Sequence, residues 1–242
     1  MKAKLIASLA VAGGLTLAMA GTASAAPLSH PKPKPKHHAV TQLTGKQLAN
    51  ALLPGSAFGP GITTSEVATT GNKLLPSQAP YSVSSEPCGD LLTGVAAFGQ
   101  TAIAEDSIDT GPLYGEQMID QFANSGAAWN FQQQEKARYN SSACVTYSTS
   151  ISEPASDGGT LDLAINVQSV SNTTVGGHVA LAVNQLVELS DSLGDTTFTM
   201  NTTVVSVGTN VYTIWETANA SSPIPSSLLT KLISRTQALY KG

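Results

Sequence analysis

The sequence predicts an α+β fold: helices packed against an antiparallel sheet, with a strand meander in the second half of the chain and one disulfide. Three observations predict it. Five segments after residue 143 (CVTYSTSIS, TLDLAINVQSV, HVALAVNQLVEL, TTFTMNTTVVSV and NVYTIWETA) are rich in Val, Ile, Thr and aromatic residues with partial alternation. Turn residues stand between them at Asp157-Gly158-Gly159, Gly176-Gly177, Ser190-Asp191 through Asp195, and Gly208-Thr209-Asn210, the signature of successive hairpins. The chain then closes on PSSLLTKLISRTQALYK, residues 225–241, where Leu228, Leu229, Leu232, Ile233, Thr236, Leu239 and Tyr240 share one helical stripe that must be buried on the sheet. The disulfide is read separately: Cys88 and Cys144 are the only cysteines. An even pair in an exported chain is most simply a bridge, worth about 4 kcal/mol on a chain-entropy view. A metal site or redox pair lacks the close spacing and histidine partners it needs.

Export is itself read from the first 25 residues, MKAKLIASLAVAGGLTLAMAGTASA: two lysines, a short apolar run, then Ala23-Ser24-Ala25 as the cleavage signal. The run is too short to span a bilayer, and nothing after it approaches the roughly 20 apolar residues a membrane helix needs. Residues 26–40, APLSHPKPKPKHHAV, alternate Lys and Pro and predict an extended, solvated spacer. Residues 41–242 are expected to form a single domain, long enough to bury a sizeable core. They hold 7 basic against 16 acidic residues, a formal charge of −9. Such a surface repels phosphate backbones, which argues against a nucleic-acid partner.

In chain order, Thr44 is placed to cap a helix in LTGKQLANALLP that Pro54 ends. A Gly/Pro loop follows, then a short strand near 62–68, an irregular stretch to Cys88, and one or two helical turns at 90–95. FGQTAIAED and GPLYGEQMIDQF are expected to be two strands joined through 107–112, although positions 114, 118, 119 and 122 also suit a helix.

That connection contains Asp109-Thr110-Gly111, the tripeptide that presents the carboxylate of aspartic proteases. Such an enzyme needs two facing carboxylates, and no second copy exists; the tripeptide is expected to be a turn. No G-x-S-x-G elbow occurs, and the one histidine beyond the spacer, His178, is read as a strand-start residue and not as a triad base. No zinc, calcium or phosphate-loop spacing appears, so no metal or cofactor is expected. Glu105 and Asp106 are read as a solvated face, since neighbouring strand positions point to opposite sides.

LTGKQLANALLPGSAFGPGITTSE, then CGDLL, then YGEQMIDQFANSGAAWNFQQQEKARYNSSAC, then the meander and final helix together resemble the PknH-like extracellular sensor domain family, over about residues 41–241. That family includes the outer portion of a mycobacterial serine/threonine receptor kinase and many actinobacterial lipoproteins or secreted proteins. This sequence is expected to hold neither the kinase domain nor its membrane helix, and one cysteine pair stands where that sensor has two. The resemblance implies a twisted antiparallel sheet with helices against it, a disulfide tie and a cleft proposed to bind a ligand. It also makes 113–123 a strand, followed by a helix over about 125–141 that Asn124 caps. The expected function is a secreted, non-enzymatic sensor-like or ligand-binding module of the cell envelope, whose partner is a small molecule or envelope component. Candidate cleft residues are Tyr114, Met118, Phe122, Trp129, Tyr147, Met200, Tyr212 and Trp215. The alternatives are wall binding through the spacer, or a hydrolase using His178 or a dimer of Asp109.

Overall fold

The computed structural model describes residues 41–71, 99–109, 114–152, 160–191, 194–218 and 225–241. The leader and spacer, Cys88, the helical turns expected at 90–95, residues 110–112 of the 107–112 connection and the Asp157-Gly158-Gly159 turn lie outside these residues.

Thr44 opens helix α1 (Gly45–Ala49) with a reciprocal cap. Its Oγ1 accepts from the Gln47 N–H at 3.2 Å, and the Gln47 side chain accepts from the Thr44 N–H at 2.8 Å. A 3-10 turn (Gly55–Ala57) leads into β1 (Thr63–Thr70), and β2 (Gln100–Asp109) and β3 (Tyr114–Phe122) follow as the expected strands. Asn124 caps α2 (Ser125–Tyr139), its side chain accepting from the Ala127 N–H at 2.9 Å. The chain continues through β4 (Thr146–Ser152), β5 (Thr160–Val175), β6 (His178–Asp191), β7 (Gly194–Val207) and β8 (Asn210–Ala218) to α3 (Ser226–Leu239).

The eight strands of the described residues form one antiparallel sheet in the order β1-β2-β3-β8-β7-β6-β5-β4. The run β4 to β8 is the expected meander. The sheet exceeds it, because β3 pairs with β8 from Gly115↔Glu216 to Gln121↔Asn210 and so carries the first-half strands into the same sheet. Gly115 lies in that seam for a steric reason: a Cβ there would stand 2.7 Å from the Trp215 carbonyl oxygen.

The sheet is covered on both faces, which divides the core in two. On one face α2 buries a stripe of Ala128, Phe131, Gln132, Glu135 and Tyr139. It packs over an apolar cluster that includes Phe122, Tyr147, Ile165, Leu181, Val187 and Val204. Gln132 fastens the helix, donating to the Val179 carbonyl at 3.0 Å and accepting from the Ser206 N–H at 2.6 Å. On the opposite face α1 and α3 share a second cluster with Ala102, Ala104, Ile119, Val205, Tyr212 and Ile214. Arg235 of α3 donates to the carbonyls of Ala51 and Asn50 at 2.8 and 2.9 Å, satisfying groups that α1 leaves open at its C-terminal end.

Two expectations are corrected. The one-disulfide part of the fold class has no counterpart in the described architecture: no Sγ–Sγ pair is found among the described residues, and Cys88 lies outside them. Cys144 is not a free thiol, but it serves here as a buried apolar residue of the α2-side cluster. Hydrogen bonds hold the corner around it: the N–H groups of Cys144 and Val145 donate to the Ser141 carbonyl at 2.9 and 3.0 Å, and Val167 N–H to the Val145 carbonyl at 2.8 Å. Among the described residues, the sheet ladder and the apolar clusters supply the cohesion. The second correction concerns Glu105 and Asp106, which are not solvated: each is 3% exposed, because both faces of β2 are covered.

Candidate functional site

The α2 face is apolar over β5 and β6 but changes character toward β2 and β3. There the register places Glu105 opposite Met118, and Met118 lies between Glu116 and Asp120 on the same face of β3. Three carboxyl groups thus surround one thioether. Across the seam, Trp215 stands opposite Glu116, Thr213 opposite Met118 and Val211 opposite Asp120. A fourth carboxyl, Glu135, arrives from the buried stripe of α2 and is ion-paired with Arg138. Glu105, Glu116, Asp120 and Glu135 are all buried. A β-bulge at residues 100–102 turns Gln100 toward the cluster, where its Nε2 donates to Asp120 Oδ1 at 3.5 Å.

Burial governs the electrostatics, since it penalises a charged carboxylate more than a neutral acid. It pushes Asp120 up to about 7; the Gln100 hydrogen bond opposes the rise, and the charges of Glu105 and Glu135 add to it. Glu116 is pushed well above the ordinary carboxyl range, first by burial, then by the charge of Glu105 and a hydrogen bond with it. The Trp215 indole pulls the other way, although its N–H is not in hydrogen-bond geometry. Glu135 also rises through burial, against the pull of Arg138. Glu116 and Asp120 are therefore biased toward the neutral acid, which donates hydrogen bonds as well as accepting them.

Several buried polar atoms of this face have no partner among the described residues: Gln100 Oε1, Glu116 Oε1, Glu135 Oε1, Gln185 Oε1 and Trp215 Nε1. Four acceptors without donors, and one donor without an acceptor, are costly in a protein interior. No group of three or more His, Cys, Asp or Glu side chains among the described residues is arranged to hold a metal ion.

The candidate cleft residues divide. Met118, Phe122, Tyr147, Met200 and Trp215 share the α2 face. Met118 and Trp215 belong to its acidic end, whereas Phe122, Tyr147 and Met200 pack in the apolar cluster, with the Phe122 and Phe131 rings 5.3 Å apart. Tyr212 lies on the opposite face in the α1 and α3 cluster, and Trp129 points outward from α2 at 45% exposure. Tyr114 begins β3, and its side chain lies outside the description. Among the other residues weighed, His178 is exposed at the β5–β6 hairpin, and Asp109 ends β2. Sequence reasoning missed the carboxyl cluster. The available signal was Glu105, Glu116 and Asp120 inside two strands otherwise made of buried-type residues.

A shallow groove of about 370 Å³ lies elsewhere, on the α1 and α3 side, lined by Leu53, Pro54, Ala57, Thr230, Lys231, Ser234 and Arg235. Its guanidinium is already spent on the α1 carbonyls, and among the described residues that line it none carries an unpartnered buried group.

No family model matches the chain, and no curated protein matches it. Among solved structures, the extracellular domain of PknH from Mycobacterium tuberculosis is similar at 14% sequence identity with a TM-score of 0.54, covering 84% of this chain and 100% of that one. An uncharacterized protein of Mycobacterium smegmatis, an Rv0999 ortholog, aligns at 11% identity with a TM-score of 0.38 over 78% of this chain and 96% of that one. The likeness to the PknH extracellular domain is one of fold, and it agrees with the PknH-like architecture that the order of segments implies.

Proposed function

We propose that this chain is an exported, non-enzymatic sensor-like module of the cell envelope that binds a small molecule or envelope component on the α2 face of its sheet. The observation that carries the reading is the concentration of unpartnered buried polar atoms on that face, at Gln100, Glu116, Gln185 and Trp215. A ligand able to hydrogen-bond would relieve a desolvation cost that the fold alone leaves standing. Met118 and Trp215 line the polar end, and Met200, Phe122 and Tyr147 supply the apolar continuation. The fold likeness to an extracellular domain supports the placement outside the cell, together with the leader-like first 25 residues.

The test is native mass spectrometry of the protein purified from its own host, with a denatured control on the same sample and a Trp215→Phe variant alongside. The expected result is an extra mass that disappears on denaturation and is depleted in Trp215→Phe at unchanged melting temperature. A clean mass in wild-type protein from every growth condition would overturn the reading.

A further inference from the structure

Glu105 and Glu116 lie diagonal to one another on neighbouring strands and are hydrogen-bonded. Two carboxyl groups can share a hydrogen bond only when one of them holds a proton. Asp120 of β3 and Glu135 of α2 act on each other across the contact between helix and sheet, and Glu105 adds its charge to the same point. The groups facing this cluster are Glu105 from β2, Glu116 and Asp120 from β3, and Glu135, Arg138 and Tyr139 from α2. β7 and β8 contribute Thr202, Thr213, Trp215 and Thr217, none of which carries charge. Among the described residues, four carboxyl groups thus meet one guanidinium.

The Glu105–Glu116 hydrogen bond shows how protons enter that balance, since it needs one of the two acids to be protonated. Two further side chains mark the place where the arrangement can change. Trp215, 1% exposed, directs an unpartnered indole N–H beside Glu116, and Gln100, 5% exposed, keeps an unpartnered Oε1 while its amide donates to Asp120.

We propose that this cluster is a proton-operated catch: protons on the Glu105–Glu116 pair and on Asp120 seat α2 on the sheet, and their loss loosens the helix and uncovers Trp215. The inference does not rest on ligand binding and goes beyond it, since it concerns when the face is open and not what occupies it. Asp120, raised to about 7, sets the changeover near neutrality. Because the folded state holds protons that the unfolded state releases near pH 4, the stabilisation is complete below about pH 4 and is lost as pH rises from there through the folded value.

The chain has two tryptophans, so Trp129→Phe, at an exposed position, leaves Trp215 as the reporter. Acrylamide quenching and thermal melts of this variant would be followed from about pH 5 to about pH 8, with Asp120→Asn and Glu116→Gln added singly. The expected result is a fall in Tm of about 5 °C or more over that range, a severalfold rise in Trp215 quenching, and a reduced response in each added variant. Hydrogen exchange of the α2 amides, corrected for intrinsic rate, should lose protection over the same range in the Trp129→Phe protein alone. This keeps the inference open to refutation if an added variant does not fold. A flat Tm, unchanged α2 protection, or the same pH response in both added variants would overturn it.

Discussion

Gln117 of β3 holds Leu53 by both of its backbone groups, the side-chain carbonyl accepting from the Leu53 N–H at 2.8 Å and the amide donating to the Leu53 carbonyl at 2.6 Å. A side-chain amide thereby reproduces the two bonds of a strand pair, and it does so for a segment that belongs to no strand. The same amide donates to Asp106 Oδ2 at 3.1 Å, which leaves no polar atom of Gln117 unused.

Gln117→Ala should therefore cost more than an ordinary core truncation. Two buried main-chain groups lose their partners at once, and the expected destabilisation is about 2–4 kcal/mol, read from urea unfolding. A loss below about 1 kcal/mol would mean that water or a shift of the 50–54 segment replaces both bonds.

Gly45 opposes two rules at one position. Helix propensity favours Gly45→Ala by about 1 kcal/mol, but a Cβ there would stand 2.2 Å from the Thr69 carbonyl oxygen. Sterics should win, and the variant should be less stable by about 1–3 kcal/mol. A raised melting temperature would show that α1 can move off β1 at little cost.

Tyr240 joins three parts of the chain through one hydroxyl, which accepts from Gln121 Nε2 at 2.7 Å and contacts Asn210 at 3.0 Å. Gln121 in turn accepts from the Leu43 N–H at 3.0 Å. Tyr240→Phe is expected to cost about 1–2 kcal/mol and to speed exchange of the Leu43 amide. Exchange at Leu43 equal to wild type would show that Gln121 keeps its orientation without the phenol.

Asp106 supplies a second, separable pH response on the opposite face. Burial raises it to about 6, against hydrogen bonds from Thr64 and Gln117, with the nearby charge of Glu66 adding to the rise. The folded state therefore binds its proton more tightly than the unfolded chain does, and stability declines as pH climbs from about 4 through about 6. Asp106→Asn should flatten that portion of a stability profile and leave the decline near neutrality in place. A profile unchanged by the substitution would count against the shift.

The meander was legible because β5 to β8 are long, β-branched and separated by glycine turns, as at Gly208, whose φ of 63° suits a tight reversal. The caps at Thr44 and Asn124 were legible for a similar reason, since both act within four residues of chain. The seam between β3 and β8 was not, because nothing local specifies which distant strand completes an edge. The carboxyl cluster was obscured by the usual meaning of its residues: Glu105, Glu116 and Asp120 alternate with buried positions as solvated residues do. Only coverage of both faces of the sheet reverses that meaning. Of the aromatic and thioether candidates, strand parity places Met118 with Phe122 and sends Tyr212 and Trp215 to opposite faces, but parity alone does not tell which face carries the polar groups.

The strand order has a consequence for shortened forms of the protein. β8 is the last strand in the chain yet lies fourth among eight, with three strands on one side and four on the other. A truncation before Asn210 would not trim an edge from the sheet. It would cut the sheet through its interior, leaving a three-stranded and a four-stranded fragment, each with a newly open hydrogen-bonding margin and no strand in common. Nonsense products lacking only the final segment should thus be prone to self-association and proteolysis.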